Sequence, residues 1–386
     1  MNESHHRPRL VYAHYGISTF DQILLGLFAS EFETYLATFG TPIRDYVGSR
    51  SVPEGTRIVQ LRDFGKPVGN YTMDNLRIAL GTPWRISELQ RCLDSIKPDI
   101  VAASYATTYG FYASACRWRP FVLFVWGSDI LVDPKRSPYH RYMVTQAIRS
   151  ADLIVIEGET TNKALSSLGF PQERIVSFPW VDLETFRHVM PDSSLRKRLG
   201  WQDKTIVVSV RWHEPIYAVD TLIRAIPQIA SQDPHIRFLI FGYGTQTAQL
   251  MKLAHELKID ASVHFAGAVP KERLLAYVKD CNIYVSTSLS DCSSSSLLEA
   301  MFLGLPVVVT SIDGNTEWIS DGVDGLTFDE HDSSGLARAI LRLVSNPKKN
   351  QRMVQSARML VQRKVHWERS SKELIKRMRY EIDTKG

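Results

Sequence analysis

The chain of 386 residues exceeds the roughly 250–300 residues that one hydrophobic core usually supports, so its length predicts two domains. With 44% hydrophobic and 23% charged residues, the composition excludes disordered, collagen-like and coiled-coil proteins. The formal net charge of +5 is spread over both halves of the chain, which argues against a nucleic-acid-binding face.

The first half alternates short β-rich apolar runs with helical patterns, which predicts βαβ units and a parallel sheet. Its predicted strands are 9–15, 33–39, 99–105, 121–127, 153–158 and 174–180. A polar stretch at 181–203 interrupts the alternation, and we interpret it as an interdomain linker. The second half resumes with predicted strands at 204–211, 237–244, 262–267, 281–288 and 306–312.

This order predicts an α/β fold with two doubly wound Rossmann-like domains that face a central cleft. The first domain is expected at 1–180, the second at 204–364, and a C-terminal helix at 365–386. Ligands of such sheets bind outside the carboxyl ends of the strands. Functional residues are therefore expected where the strands end.

The segment SDCSSSSLLEAMFLGLPVVV, residues 290–309, places four serines at the predicted start of a helix that ends near Gly304. Backbone N–H groups at a helix start lack intrahelical partners and carry the positive end of the helix dipole, so this turn suits a diphosphate. Glu299 could then hold the hydroxyls of a ribose, and Asp291 a second polar part of the ligand. In the alternative interpretation the serines are only an N-cap and Glu299 is a surface charge.

This segment and its continuation, TSIDGNTEWI, resemble the signature of the retaining GT-B glycosyltransferases of family 4, the glycosyl transferases group 1. There, an acid and a Glu eight positions later precede the pattern EAM…G.PVV. Segments similar to other family motifs follow one another in the family's order: HYGISTFDQ (14–22), WGSDIL (126–131), VDLETF (181–186), RWHEPIYAVDTLIRA (211–225), FAGAVP (265–270) and VHWERSSKELI (365–375). In the family the last segment packs back onto the first domain.

The resemblance implies a role for individual residues. It makes Asp291, Arg211 and Asp129 the catalytic residues. It gives a donor-binding set of Gly16, Arg211, Tyr217, Gly242, Val269, Ser293, Ser294, Ser295, Leu297 and Glu299. In this set Arg211 and the amides of residues 293–297 would hold the diphosphate, and Glu299 the ribose. A surface salt bridge is the alternative for Arg211, and a tight turn is the alternative for Gly16.

Three positions depart from the family pattern. Tyr217 stands nearest the position of a Lys that usually joins the Arg on the diphosphate, which removes one positive charge. Trp126 replaces the His of a strand-end HG turn, and Cys292-Ser293-Ser294 replaces a Gly-aromatic-Gly run. The identity of the donor therefore stays open.

By resemblance, the expected function is a retaining, metal-independent transfer of a sugar from a nucleoside diphosphate sugar to a hydroxyl of a glycan or lipid-linked acceptor. Surface polysaccharide or glycoconjugate synthesis is the expected context. The sequence contains no DxD motif, and we expect no metal, no resident cofactor and no nucleic-acid partner. The alternatives are a non-catalytic GT-B partner subunit and a sugar-nucleotide epimerase.

The expected location is cytoplasmic. The four cysteines lie far apart without a CxxC pair, which is typical of reduced thiols. No apolar run reaches the ~20 residues that span a bilayer, and the first ten residues lack the apolar core of a signal peptide. Residues 346–386 carry twelve Lys or Arg against four Asp or Glu, so they are a candidate for peripheral contact with the inner face of a membrane. A solvated helix face explains these charges more simply.

Overall fold

The computed structural model describes residues 7–14, 19–39, 52–63 and 71–385. Gly16, predicted to bind the donor, lies outside these ranges. The described chain forms two compact units. The first runs to Glu157 and includes Thr161–Phe178 and the chain from Glu368, and the second comprises Gly158–Thr160 and Pro179–Trp367.

The first unit is built on a parallel sheet. Its strands are β1 (Arg9–Ala13), β2 (Glu33–Thr38), β3 (Thr56–Gln60), β4 (Ile100–Ser104), β5 (Phe121–Phe124), β6 (Leu153–Ile156) and β7 (Ile175–Ser177). They lie in the order β3-β2-β1-β4-β5-β6-β7. The helices over this part of the chain are α1 (Thr19–Glu31), α2 (Tyr71–Ile96), α3 (Tyr109–Cys116), α4 (Ser128–Leu131), α5 (Pro138–Ser150) and α6 (Glu159–Ser167). Short 3-10 helices occupy Asp133–Lys135 and Gln172–Arg174.

The second unit contains a second parallel sheet. Its strands are β8 (Thr205–Val210), β9 (Ile236–Phe241), β10 (Val263–Gly267), β11 (Ile283–Ser286), β12 (Val307–Thr310) and β13 (Leu326–Phe328), in the order β10-β9-β8-β11-β12-β13. The helices from here to the end of the chain are α7 (Ser194–Arg198), α8 (Val219–Gln232), α9 (Thr247–Glu256), α10 (Lys271–Lys279), α11 (Ser295–Leu303), α12 (Asp313–Thr316), α13 (Ser333–Ser345), α14 (Pro347–Lys364) and α15 (Trp367–Lys385). The 3-10 helices are Leu183–Phe186 and Pro215–Tyr217.

The central strands are apolar because helices cover both faces of a parallel sheet. Every residue of β4, β11 and β12 is buried. The predicted α/β class with two doubly wound parallel sheets is therefore confirmed. Each predicted strand is present, although shorter than the apolar run that predicted it.

Two strands were not predicted, and both have weak sequence signals. β3 lies at one edge of its sheet with mostly exposed side chains, so its sequence lacks the apolar run of a central strand. β13 is an edge strand of three residues.

The stretch predicted as a linker, 181–203, belongs to the second unit. Val181, Leu183, Phe186 and Trp201 are buried in that unit's core, so the stretch is packed although its composition is polar. The C-terminal helix α15 is grouped with the first unit from Glu368 onward. None of the helices in the described part of the chain is long and apolar enough to cross a membrane.

Candidate functional site

The strand order of the second unit reverses between β8 and β11. The chain segments that follow β8 and β11 leave these two strands in opposite directions. A crevice therefore opens outside the carboxyl ends of the strands. Arg211 follows β8 directly, and the loop after β11 leads through Asp291 to α11. The topology therefore brings two predicted site segments to one edge of this sheet.

Arg211 is the centre of a polar cluster at this edge. Its Nη2 donates to Asp291 Oδ2 at 2.5 Å and to Ser294 Oγ, and its Nε donates to Ser286 Oγ at 2.9 Å. The side chain of Arg211 is only 9% exposed, and that of Asp291 is 16% exposed. These partners fix the plane of the guanidinium, so Arg211 differs from an exposed salt-bridge residue.

The guanidinium of Arg211 stays charged in this setting. Burial by itself would lower the pKa of Arg211, but the Asp291 carboxylate and two neighbouring tyrosines outweigh it, and the pKa is raised above its ordinary value. An anion that binds here would compete with Asp291 for a full positive charge whose orientation is already fixed.

Tyr217 packs against this cation. The guanidinium carbon of Arg211 lies 5.3 Å from the centre of the Tyr217 ring, a cation–π distance. Burial raises the pKa of Tyr217, so its phenol is neutral. At the position where the family pattern has a second cation, the structure thus places an aromatic ring beside the first.

The predicted helix is present as α11, and Ser294 is its N-cap. Ser294 Oγ accepts a hydrogen bond from Leu297 N at 3.3 Å, which is the capping bond of the alternative interpretation. The donor-binding role of Ser294 stays a prediction. Ser295 is the first helical residue. Ser293, just before the cap, accepts a hydrogen bond from Trp318 Nε1 at 2.8 Å. The start of α11 is therefore held by Trp318 at Ser293 and by Arg211 at Ser294.

Two glycines allow backbone segments to meet at this edge. Gly242, directly after β9, has φ +120°, and a Cβ built on it would lie 1.9 Å from Arg211 O. A Cβ on Gly314 would lie 2.1 Å from Asp291 O. Both positions therefore need glycine, and Gly242 has a packing role beside Arg211. Its predicted contact with a nucleotide stays a prediction.

Glu299 lies one turn into α11 and is 4% exposed. Its Oε1 accepts a hydrogen bond from Lys271 Nζ, and this ammonium also lies 5.9 Å from the centre of the Phe186 ring. Val269 stands two residues before Lys271, in the turn between β10 and α10. Thus Lys271 pairs with the carboxylate predicted for the ribose and follows closely on the turn that contains Val269, another residue of the predicted donor-binding set.

Lys271 is a site residue that was not predicted from the sequence. A Lys after the FAGAVP turn was the available signal, but its partner lies 28 positions away. The pairing depends on how α10 packs against α11, which the sequence pattern does not specify.

Asp129 lies in the first unit, at the start of α4, and is completely buried. Its Oδ2 accepts a hydrogen bond from Ala106 N at 2.8 Å, and its Oδ1 accepts one from Trp126 N at 3.0 Å. Burial raises the pKa of Asp129 to about 7, against the effect of these hydrogen bonds. The Asp129 carboxyl group thus holds the backbone at Ala106 and at Trp126 in place. Its catalytic role stays a prediction.

The four cysteines are free thiols. Burial raises the pKa of Cys92 to about 11 and that of Cys116 to about 12, so both are protonated and unreactive near neutral pH. Within the described ranges, no group of three or more His, Cys, Asp or Glu side chains is arranged to hold a metal ion.

Two family models match the chain. Residues 192–359 match the model of the glycosyl transferases group 1. Residues 72–157 match the model described as glycosyl transferase 4-like. The first match contains Arg211, Asp291 and Glu299, and the second contains Asp129.

Curated relatives carry related names. The D-inositol 3-phosphate glycosyltransferase of Nocardioides sp. is 28% identical over 258 residues, which cover 61% of this chain and 56% of the relative. The protein of the same name from Mycolicibacterium smegmatis is 31% identical over 216 residues, which cover 54% and 49%. The chain thus spans about half the length of the curated relatives it matches.

Solved structures share the whole architecture. Sucrose-phosphate synthase from Thermosynechococcus elongatus has a TM-score of 0.79 at 17% identity, with 97% of this chain and 99% of that chain covered. Anabaena Alr3699/HepE in complex with UDP and glucose has a TM-score of 0.75 at 17% identity, with 97% and 100% covered. Together with the two parallel sheets, these neighbours define the GT-B fold and confirm that prediction. Within this fold, residues 192–359 form a domain of the glycosyl transferases group 1.

Proposed function

We propose that this protein transfers a sugar from a nucleoside diphosphate sugar to a hydroxyl of a glycan or lipid-linked acceptor, with retention of the anomeric configuration. The observation that carries the proposal is the cluster of Arg211 with Asp291 and Ser294 beside the start of α11. A departing nucleoside diphosphate develops negative charge, and a fixed guanidinium beside helix N–H groups is suited to stabilise it.

The same groups make metal-independent catalysis the simplest proposal. The charge that a divalent cation would neutralise in other transferases can be met here by Arg211 and the N–H groups of α11. We expect activity in the presence of EDTA and no requirement for a resident cofactor.

A UDP-sugar is the first donor to test, because the Anabaena neighbour is described in complex with UDP and glucose. Glu299 would accept hydrogen bonds from the ribose hydroxyls, in competition with Lys271. Surface polysaccharide or glycoconjugate synthesis is the context we propose. The predicted cytoplasmic location and the predicted membrane contact of residues 346–386 stay predictions.

The test is product formation from UDP-sugars and hydroxyl acceptors in EDTA, with the anomeric configuration of the product read by NMR. Asp291→Asn and Glu299→Ala should each reduce turnover by more than about tenfold. The control is Asp220→Asn on α8. The Asp220 carboxylate is exposed and forms a surface ion pair with Arg224 at 3.5 Å. Unchanged rates in both site variants would overturn the site assignment.

The same assay distinguishes the two alternatives. An epimerase would convert the sugar nucleotide without any acceptor. A non-catalytic partner subunit would bind the nucleotide without turnover. The absence of a second cation at Tyr217 and the Trp126 in place of the family's His are the features that favour it. Transfer that requires an acceptor excludes both.

A further inference from the structure

Lys271 and Glu299 form a largely buried ion pair in the second unit. The side chain of Glu299 is 6% exposed, and that of Lys271 is 24% exposed. Glu299 Oε1 accepts a hydrogen bond from Lys271 Nζ, and within the described part of the chain no other group hydrogen-bonds this carboxylate. A buried carboxylate without a counter-ion either neutralises or turns towards solvent. Lys271 is therefore the residue that holds Glu299 in its buried position as an anion.

The place of Lys271 is explained by Glu299 rather than by its own helix. Lys271 is the first residue of α10. The start of a helix carries a partial positive charge and favours acids, so a lysine there is unfavourable for the helix itself. The ammonium instead lies against the Glu299 carboxylate and the ring of Phe186, whose centre is 5.9 Å from Nζ. Phe186 packs in turn against Phe302 of α11, with ring centres 6.4 Å apart. The position of the cation is thus set by α11 and the residues packed on it.

Glu299 lies on the helix that begins beside Arg211. Ser294, whose side chain binds Arg211, caps α11, and Glu299 follows five residues later. Five residues of α-helix rise about 7.5 Å. A ribose 5′-phosphate has a similar length, so a phosphate held at the start of α11 leaves its ribose hydroxyls within reach of Glu299.

The Glu299 carboxylate can bind Lys271 and a ribose together. An ionised carboxylate has about four acceptor sites on its two oxygens, and Lys271 uses one of them. The ammonium and the 2′ and 3′ hydroxyls of a ribose compete for this group, but its other sites can accept both hydroxyls. Hydrogen bonds to a charged acceptor are about twice as strong as those between neutral groups. A fixed and charged Glu299 therefore favours a ribose over a 2′-deoxyribose, which lacks one of the two donors.

We infer that Lys271 is a positioning residue that orients Glu299 and makes the donor site selective for ribonucleotides. The inference rests on the proposed function and deepens it, because it specifies the class of donor. The transferred sugar is carried by a ribonucleoside diphosphate and not by a deoxyribonucleoside diphosphate. Lys271 acts through the Glu299 carboxylate and need not contact the nucleotide.

The test is calorimetric titration of the full chain with UDP and 2′-deoxy-UDP, and in parallel with the ribo and 2′-deoxy forms of GDP, ADP and CDP. The ribose preference is the Kd of the deoxy form divided by the Kd of the ribo form. In the wild type it should be at least about tenfold for the nucleotide that binds, which corresponds to one hydrogen bond to a charged group.

Lys271→Met removes the cation and keeps a side chain of similar length. It should weaken binding of the ribonucleotide and lower the ribose preference to within about threefold, because Glu299 is no longer held as an anion. Lys271→Arg keeps a cation and should retain most of the preference. An equal ribose preference in the wild type and Lys271→Met would overturn the inference. Tighter binding of the ribonucleotide by Lys271→Met would also overturn it, since Lys271 would then be only a competitor for Glu299.

The matched control is Lys252→Met on α9. Lys252 also pairs with a glutamate, Glu256, at 3.6 Å, but both side chains are exposed. This change should leave the ribose preference as it is in the wild type. A loss as large as that in Lys271→Met would show a general effect of charge and would overturn the inference.

Glu299→Gln and Glu299→Gln/Lys271→Met show whether Lys271 acts through Glu299. The double variant leaves neither charge of the pair behind, so it keeps the test available if Lys271→Met alone fails to fold. Both variants should have the same weakened ribose preference, because residues that act as one unit are not additive. A further tenfold loss of ribonucleotide binding in the double variant would overturn the inference.

The wild type alone separates the ribose preference from the donor site itself. Equal affinity for the ribo and deoxy forms of a nucleotide would overturn the inference and leave the donor site in place. No binding of any of these nucleotides, in either sugar form, would contradict the proposed function.

Discussion

At the scale of single residues, Arg211 is oriented by three side chains of its own unit. Asp291 and Ser294 bind one end of the guanidinium, and Ser286 binds its Nε. The importance of Arg211 could be predicted from the sequence because it follows a strand. Its contacts could not, since each partner lies at least 75 positions away and depends on the packing of β8 against β11.

Arg211→Ala should raise the donor KM and lower kcat. A contact that strengthens as phosphate charge develops contributes more to the transition state than to the ground state. We expect kcat/KM to fall by at least about 100-fold, the range found when a preorganised donor is removed. Steady-state kinetics checks this, with Arg224→Ala on the exposed side of α8 as a control. A change in KM alone would contradict a role in the transition state.

Asp129 should make stability depend on pH. Its folded pKa of about 7 lies above the ordinary value of 3.8, so the folded state retains a proton that the unfolded state releases. The contribution of Asp129 to stability is therefore greatest below its ordinary pKa and declines as the pH rises towards 7. Asp129→Asn does not titrate, so the stability advantage of the wild type over this variant should shrink between pH 5.5 and pH 8.

Chemical denaturation at these two pH values measures the difference. One pKa unit corresponds to about 1.4 kcal/mol, so the expected change is on the order of 1–2 kcal/mol. A difference that stays constant with pH would show that the Asp129 carboxyl is ionised throughout, which would contradict a raised pKa in the folded state.

At the scale of elements, the central strands could be predicted because burial on both faces makes them apolar. The helix α11 could be predicted as well, from its serine start and from Gly304, which adopts the left-handed conformation after the last turn. The packing of the polar stretch at 181–203 was missed because only a few of its residues are apolar, although five of these are buried in the core. Composition reports the average character of a segment, whereas packing depends on which residues face the core.

Ser294→Ala should destabilise the second unit by about 1 kcal/mol through loss of the helix cap. The change also removes an acceptor for Arg211, so donor binding should weaken. Ser193→Ala is the matched control, because Ser193 precedes α7 without a side-chain capping bond. Denaturation followed by circular dichroism compares the two. Equal stability losses would show that the capping bond contributes nothing.

At the scale of the whole molecule, the middle part of the chain, Pro179–Trp367, belongs to the second unit. The chain from Glu368 onward belongs to the first unit again. The last helix, α15, buries Leu374 and Met378 completely, and Arg379 pairs with Glu31 at 2.7 Å. Family resemblance predicted a C-terminal segment that packs on the first domain. The grouping of the chain from Glu368 with the first unit agrees with such packing.

Met378→Ala should lower the stability of the first unit by about 2–5 kcal/mol, because a buried side chain is replaced by a cavity. Met359 on α14 is 56% exposed, so Met359→Ala should stay within about 0.5 kcal/mol of the wild type. Thermal denaturation of both variants makes the comparison. Similar values for the two would contradict the role of α15 as part of the core.

The central claim is a nucleoside diphosphate site built around Arg211. Its most direct test is the thermal shift of the wild type and of Arg211→Ala with UDP, GDP, ADP, CDP and dTDP and their common sugars, in EDTA. We predict that one nucleotide stabilises the wild type by RT ln(1 + [L]/Kd), and that most of this shift is lost in Arg211→Ala. No stabilisation by any nucleotide, or an equal shift in both proteins, would contradict the claim.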